Sequence, residues 1–274
     1  MKINQSQLVQ DYMDCLNLKV CQNKEQFWEQ LEKNHDEEVL EQLDDAFIAH
    51  NEGSEDDLYD VKNQNLMLSL DVSNFSADLY QKYLDWFITQ PIHSPKKILD
   101  LGCDNGIATC FYALLFPDSE VIGMDINENG LNCAKELAKQ LKLSNISFLN
   151  IDYRNIQKHF MKGTFDLIIS LRSYHEMIGE FQEKPHHSDY LLSHIQLLLK
   201  NETSKFITCE RLSGVKSIST WVRLLENAGL YVQFAESNLI EFHEIGQEQE
   251  IPVFVATKRK VEINILENVK NLLS

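Results

Sequence analysis

The stretch Ile98-Leu99-Asp100-Leu101-Gly102-Cys103-Asp104-Asn105-Gly106 decides the fold of this chain. It predicts a short apolar strand that ends in an acidic residue and runs into a glycine-containing turn. A helix is predicted to follow over residues 107–116 and to end before Pro117. Glycine lets the backbone approach a ligand closely, and the free N–H groups of a helix N-terminus face that ligand. The stretch therefore predicts a nucleotide-type binding site.

The residues of the turn separate two classes of ligand. A dinucleotide fingerprint that starts at Gly102 requires glycine at the positions of Asp104 and Ile107. The carboxylate of Asp104 would also repel a pyrophosphate at close range. A second acid, Asp125, follows an apolar run 19 residues after Gly106, where it is expected to accept hydrogen bonds from ribose hydroxyls. A ligand of the adenosylmethionine type carries a sulfonium and an ammonium group and no phosphate, so it tolerates an acid in the turn.

The segment resembles motif I of the class I S-adenosylmethionine-dependent methyltransferases, whose usual form is D/E-x-G-x-G-x-G. Asp100, Gly102 and Gly106 match this form, and Asp104 replaces the middle glycine. The resemblance extends over residues 93–260. Further matching positions are an acid after the second strand (Asp125), an acid after the third (Asp152), the opening of the fourth (Phe165-Asp166) and a late helix end (Leu225-Glu226-Asn227-Ala228-Gly229-Leu230).

The resemblance implies that S-adenosylmethionine is the cofactor. We expect no metal site, because His186-His187 has no cysteine or acid ligands at suitable spacing. The residues predicted to bind the cofactor are Asp100, Gly102, Cys103, Asp104, Gly106, Asp125, Ile126, Asp152, Tyr153 and Leu171.

The segment after the fourth predicted strand carries the candidate chemistry, because the ligand crevice of an open parallel sheet lies at the strand ends. Methyl transfer from a sulfonium depends largely on positioning in a water-poor site, and it needs a base only if the acceptor must lose a proton. His175 is either that base or a side chain that packs beside the cofactor. Arg172 either holds an acidic substrate group or pairs with a carboxylate. Tyr174 is a second candidate substrate contact, and Glu210 either orients the substrate or forms a structural ion pair.

Composition and charge narrow the range of partners. The chain has 274 residues, 43% apolar and 24% charged, as in a globular domain. Its net charge is −17, and residues 1–90 hold 19 acids against 6 lysines. This negative charge disfavours binding to the phosphates of a nucleic acid.

We expect no membrane span, since no apolar run approaches about 18 residues. The six cysteines form no C-x-x-C pair, and we expect them to be reduced thiols in a cytoplasmic protein. The oligomeric state stays open.

The pattern predicts an α/β protein with a doubly wound Rossmann-like sheet, mostly parallel with an antiparallel last strand, and an N-terminal helical segment. We divide the chain into a helical segment over 1–92, a cofactor-binding domain over 93–260 and a tail over 261–274. Single helices are predicted at 26–49 and 58–70, and a hairpin at 230–240 and 251–257 with an acidic loop between. The helical segment is predicted to cover the pocket, with Tyr59, Tyr80 and Tyr83 as candidates to reach into it.

The function predicted from the sequence is methyl transfer from S-adenosylmethionine to a small molecule. A non-catalytic binding or regulatory protein on the same fold is an alternative, because one fold hosts many functions. A methyltransferase that acts on a protein is another.

Overall fold

The computed structural model describes residues 5–53, 57–175 and 185–274, and none of the helices in these ranges is long and apolar enough to cross a membrane. Helices alone precede the first strand. They are α1 (Gln5–Cys15), α2 (Lys24–Asn34), α3 (Glu37–Asn51), α4 (Leu58–Lys62), α5 (Leu66–Ser73) and α6 (Ala77–Phe87).

Strands and helices alternate from Lys97 onward. In order they are β1 (Lys97–Leu101), α7 (Ile107–Leu115), β2 (Glu120–Asp125), α8 (Glu128–Gln140), β3 (Ile146–Asn150), α9 (Ile156–His159), β4 (Leu167–Leu171), α10 (Pro185–Leu198), β5 (Lys205–Cys209), α11 (Gly214–Asn227), β6 (Tyr231–Val232), β7 (Asn238–Glu244), β8 (Gln247–Thr257) and α12 (Ile265–Leu272).

The described strands form one sheet in the order β3-β2-β1-β4-β5-β8-β6, with β7 paired to the first half of β8. Strands β1 to β5 are parallel, and β8 runs antiparallel to β5, β6 and β7. The chain runs from β1 to one edge of the sheet and returns at β4 to run to the other. This confirms the predicted doubly wound α/β fold and places the topological switch point between β1 and β4, where such sheets bind ligands.

The central strands are apolar because both of their faces are covered. Side chains alternate across a strand, so Ile98 and Leu99 point to opposite faces of the sheet. Ile98 packs in a core with α1, α6, α7 and α8, whereas Leu99 and Leu101 pack in a second core with α10, α11 and α12. All three strand residues are fully buried.

The N-terminal helices do not all serve the same purpose. Helices α1 and α6 share the core of the sheet, where Tyr12 stacks edge-on against Phe111 with ring centroids 5.2 Å apart. Helices α2, α3 and α5 instead build a third apolar cluster around Phe27 and Leu31. The division at residue 92 stays a prediction, but only the middle of the helical segment has a core of its own.

Two of the predicted helices are wrong in length, because each of them is broken in two in the structure. The helix predicted over 26–49 breaks at His35, whose ring contacts Asp71 with Nε2 and Oδ2 2.9 Å apart. The helix predicted over 58–70 breaks after Lys62, and a new one starts where the Asn65 side chain accepts from the Leu68 N–H at 3.0 Å. The Asp71 partner of His35 lies 36 residues away, so local spacing does not show it, whereas the Asn65 cap is a local signal that the sequence analysis missed.

The predicted acidic loop over 241–250 is also wrong. These residues continue the hairpin, which turns at Ile245 and Gly246 with φ of +43° and +87°. A two-residue hairpin turn with two positive φ angles matches the twist of the strands that flank it. Glu241, Glu248 and Glu250 are exposed, whereas Glu244 is half-buried in line with the buried Ile240 and Phe242, so the acidic composition concealed a strand with a period of two.

We predict that Gly106→Ala destabilises the protein by about 2–5 kcal/mol. Gly106 has φ +77°, where a non-glycine residue costs about 1–2 kcal/mol, and a Cβ there would lie 2.7 Å from the Cβ of Ala134, which adds strain of about 1–3 kcal/mol. Gly229→Ala is the matched control, since Gly229 has φ +79° but its nearest neighbour lies at 3.6 Å. It should lose only the backbone cost. Urea unfolding of both variants measures the difference, and equal losses would contradict the close approach of α8 to this turn.

Candidate functional site

A cavity of about 1180 Å³ lies at the carboxyl ends of β1, β2 and β4. Strand-end residues such as Asp100, Asp125 and Leu171 line it, and side chains from the N-terminal helices, from Phe27 to Tyr80, line it as well. A pocket for one drug-sized ligand measures roughly 300–1,000 Å³. The cavity therefore has room for two small molecules side by side.

The turn after β1 forms one wall of the cavity. Gly102 has φ +69°, and its N–H donates to the carbonyl of Met124 at the end of β2 over 2.8 Å. A Cβ at Gly102 would lie 2.3 Å from the Cβ of Ser173, which follows β4. Only glycine fits here, because the turn is held between two strand ends and requires a left-handed backbone.

Asp100 closes β1 and is 2% exposed. One of its oxygens accepts from the Thr109 hydroxyl at 2.6 Å. Burial raises the pKa of the Asp100 carboxyl to about 7, the Thr109 hydrogen bond lowers it, and the charge of Asp125 raises it further. A cation bound beside Asp100 would meet a carboxyl group that is ready to ionise.

Asp125 closes β2 with both of its carboxylate oxygens fixed. Oδ2 accepts from the backbone N–H of Asp104 and Oδ1 from that of Asn127, each over 2.9 Å. Burial raises the pKa of this carboxyl. Each oxygen has capacity for a further hydrogen bond, which suits the predicted contact with ribose hydroxyls.

Asp104 stands where the family motif has glycine, and the structure shows what it binds. Its φ is +44°, a region that aspartate tolerates better than most side chains. Oδ2 lies 2.5 Å from Lys62 Nζ and Oδ1 lies 2.6 Å from Asn63 Nδ2. Lys62 and Asn63 are functional candidates that the sequence analysis missed, since nothing local marks residues 41 and 42 positions away.

The ends of β2 and β3 supply the opposite part of this wall. Ile126 is 67% exposed and lines the cavity, so it offers an apolar surface to a ligand. Asp152 and Tyr153 line it too. The Asp152 carboxylate already accepts from Arg154 Nε at 2.8 and 2.9 Å, and this hydrogen bond lowers the pKa of the carboxyl. The carboxylate of Asp152 therefore lines the cavity while it is hydrogen-bonded to Arg154.

The end of β4 carries Leu171 and Arg172. Arg172 has φ +56°, and its Nη1 lies 2.9 Å from Glu244 Oε1 and 2.9 Å from Ser76 Oγ. The predicted pairing of Arg172 with a carboxylate is thus present. Glu244 is contributed by the β7–β8 hairpin, and both side chains line the cavity. A contact of Arg172 with substrate stays a prediction.

His175 lies on the cavity wall and is held by Glu210. Its Nδ1 is 2.9 Å from Oε2 of Glu210, whose side chain is fully buried at the end of β5. The other oxygen of Glu210 accepts from the Ser170 hydroxyl at 2.9 Å and from the Tyr174 N–H at 3.3 Å. A buried carboxylate that fixes an imidazole in this way holds one tautomer and stabilises the charged ring that results from proton uptake.

Three of the predicted site residues do not line the cavity, namely Gly106, Tyr174 and Glu210. The Tyr174 ring is fully buried against Trp221, with centroids 4.8 Å apart, so the substrate contact predicted for it has no support here. Glu210 reaches the cavity only through His175. The remaining predicted cofactor, substrate and catalytic residues are brought together.

Two of the three tyrosines predicted to reach into the pocket from the helical segment line the cavity, and the third does not. Tyr59 and Tyr80 line the cavity. Tyr83, by contrast, is fully buried and its hydroxyl lies 3.0 Å from that of Tyr112. The expectation that Tyr83 reaches into the pocket is therefore wrong, because it faces the core that α6 shares with α7.

Residues 92–229 match a family model described as "Methyltransferase domain", which is half of the chain. This stretch includes β1 to β5 and the wall built by Asp100, Asp125 and His175.

Two solved structures show the same fold. The YcgJ protein of Bacillus subtilis superposes with a TM-score of 0.51 at 12% identity, covering 64% of this chain and 96% of that one. The protein solved in complex with the Trm112 methyltransferase activator of Haloferax volcanii superposes with a TM-score of 0.54 at 14% identity, covering 74% and 98%. These likenesses concern the fold alone.

Among curated proteins, the malonyl-[acyl-carrier protein] O-methyltransferase of Legionella pneumophila is 32% identical over 82 residues, which are 30% of this chain and 28% of that protein. The chain spans less than half of the length of the curated relatives that it matches. The match to the family model, the sheet order and the strand-end acids agree, and this chain belongs to the methyltransferase domain family, with the class I Rossmann-like fold.

Proposed function

We propose that this protein binds S-adenosylmethionine at the β1–β2 wall of the cavity and methylates a small molecule that lies beside His175. One observation carries the proposal: a single cavity joins the strand-end acids Asp100 and Asp125 to the His175–Glu210 pair. Membership of the methyltransferase family supports the reaction type.

The residues at the β1–β2 wall fit this cofactor. Gly102 gives the close backbone approach, and Asp100 offers a carboxyl for a cationic group. Asp125 has acceptors for hydroxyl groups, and Ile126 an exposed apolar face for a flat ring. The acid Asp104 would disfavour a phosphate-bearing ligand at the same place.

The cofactor supplies a methyl group on a sulfonium, and the protein holds the acceptor in line with that methyl group. Reaction in a site closed to water needs little covalent help, so much of the rate enhancement is expected from alignment of donor and acceptor. His175 accepts the proton of a hydroxyl or ammonium acceptor, and Glu210 keeps its ring oriented while it does so.

We predict that His175→Asn lowers turnover by about 10²–10⁴-fold and leaves affinity for S-adenosylhomocysteine nearly unchanged. Asparagine keeps a hydrogen bond to Glu210 but takes up no proton near neutral pH. Turnover is measured with labelled methyl donor and a metabolite extract across pH 6–9. His159→Asn, in an exposed residue at the end of α9, is the control. Wild-type turnover of the His175 variant across that range would remove the base from the mechanism and leave positioning alone.

We also predict that binding of S-adenosylhomocysteine releases a proton from Asp100. The pKa of Asp100 is raised to about 7, so the group is about half protonated near neutrality. A cationic group beside it lowers that pKa, so affinity should rise as pH increases through 7. Calorimetry in two buffers of different ionisation enthalpy should show release of about half a proton at pH 7.

Asp100→Asn removes this proton release. Identical heats for the wild-type protein in both buffers would show that no cation meets Asp100, and tight binding of NAD in place of S-adenosylhomocysteine would refute the cofactor assignment itself.

The same proposal gives α4 and α5 the role of a lid. Lys62 and Asn63 bind Asp104, and Asp60 Oδ1 accepts from Asn127 Nδ2 at 2.6 Å. Asn105 donates to Ser69 Oγ at 2.8 Å, one helix further on. These contacts tie residues 60–69 to the turns after β1 and β2, so this segment covers the wall of the cavity at which the cofactor is proposed to bind.

We predict that Asp104→Asn raises amide hydrogen exchange over residues 58–73 several-fold and that Asp104→Gly raises it more. Asparagine keeps the left-handed backbone and the contact with Asn63 but loses the charge that binds Lys62, whereas glycine loses both contacts. Asp118→Asn, in an exposed loop before β2, is the control. Unchanged protection in both Asp104 variants would show that this anchor does not hold the segment.

A further inference from the structure

Two arginines that follow β4 and β5 share one carboxylate. Arg172 Nη1 and Arg211 Nη2 both bind Glu244, at 2.9 Å to Oε1 and 3.3 Å to Oε2. All three side chains line the cavity. Among the described residues, Glu244 is the carboxylate recorded against both guanidinium groups, so the two arginines keep N–H donors for a further anion.

The backbone at Arg172 points to a functional reason for this arrangement. Its φ of +56° lies in the left-handed region, which side chains other than glycine adopt at a cost. The conformation is held by the Arg172 N–H, which donates to the Cys209 carbonyl over 2.7 Å. Strained backbone of this kind is concentrated at ligand sites, where the surrounding structure enforces it.

A hydroxyl donor lies near the same place. Tyr80 lines the cavity, and among the described residues the structure records no hydrogen bond to its hydroxyl. Burial raises the pKa of Tyr80, and the charges of Asp104 and Arg172 act on it. The phenol therefore stays protonated and can donate to an anion held by Arg172.

An apolar wall begins one residue away from both partners of Arg172. Phe75 precedes Ser76, and Ile245 follows Glu244, and both pack on the cluster around Phe27. Phe75 stacks on Phe47 with ring centroids 5.7 Å apart. The cavity-lining aromatic residues here are Trp28, Phe47, Tyr59 and Phe75, each partly exposed.

We propose that the methyl acceptor is a carboxylic acid with an apolar body, whose carboxylate binds Arg172, Arg211 and the Tyr80 hydroxyl and whose body lies on the aromatic wall. This rests on the proposed function, since it names the class of molecule that fills the second half of the cavity. Guanidinium groups recognise carboxylates through paired, charge-assisted hydrogen bonds. An ammonium group only donates hydrogen bonds and could not accept from the guanidinium groups, and a neutral apolar molecule would leave their free N–H donors unpaired.

The test uses the full chain saturated with S-adenosylhomocysteine and three probes of one shape, namely phenylbutyrate, phenylbutanol and phenylbutylamine. Calorimetry should show that the acid binds about ten-fold or more tightly than the alcohol or the amine, the size expected for a charged hydrogen bond. Arg211→Gln and Tyr80→Phe should weaken the acid and leave the alcohol unchanged. Trp28→Ala should weaken acid and alcohol alike, and Arg223→Gln, in an exposed residue of α11, should change neither.

Arg172 is tested by two variants that differ in whether the strain of the positive φ is retained. Arg172→Gln removes the charge, whereas Arg172→Gly removes it and also relieves the positive φ. Both should lose the preference for the acid. An acid that binds no more tightly than the alcohol, or an amine that binds more tightly than the acid, would overturn the proposal. Absence of S-adenosylhomocysteine binding is a different result, which refutes the proposed function instead.

Discussion

The way in which the chain leaves β1 constrains the whole carboxyl edge of the sheet. Gly102, Asp104 and Gly106 all have positive φ, and the turn is held against β2, α8 and the residue that follows β4. Glycine is required at Gly102 and Gly106 because a Cβ would enter occupied space at each. Asp104 is under no such restriction, and this freedom lets a carboxylate occupy a position that the family motif gives to glycine. The C-terminal end of α4, at Lys62 and Asn63, binds to the turn through that carboxylate.

Two carboxyl groups of this site have pKa values shifted in opposite directions, because they lie in different surroundings at the strand ends. Asp100 lies at the end of a central strand with a single side-chain donor, so desolvation dominates and raises its pKa to about 7. Asp152 lies on an exposed turn beside Arg154, and the hydrogen bond from that arginine lowers its pKa. The buried group can respond to a cation by releasing a proton, whereas the exposed group is already ionised. The degree of burial at the strand ends thus determines which carboxyl group can change its protonation when a cation binds.

Sequence reasoning succeeded where physical constraints act locally. The ends of β1, β2 and β3 were predicted from Asp100, Asp125 and Asp152, because buried parallel strands are short apolar runs with polar ends. Most strand-end site residues follow from the same pattern, since the ends of parallel strands converge on one edge. Lys62, Ser76 and Glu244 were not predicted, because their partners Asp104 and Arg172 lie 42 to 96 residues away. Adjacent residues can also point in different directions. His175 lines the cavity, whereas the side chain of Tyr174 packs against Trp221, and the sequence does not distinguish the two.

The two halves of the acceptor site together constrain the chemistry. A carboxylate is already deprotonated at neutral pH, so it needs no base when it is itself the methylated group. A His175 ring fixed by a buried Glu210 is useful only if the methylated atom carries a proton. Arg172 comes three residues before His175 in the same segment after β4, so an anion bound to Arg172 and a proton taken by His175 belong to neighbouring positions. The arrangement therefore favours an acceptor in which the carboxylate anchors the molecule and a separate hydroxyl or amine receives the methyl group.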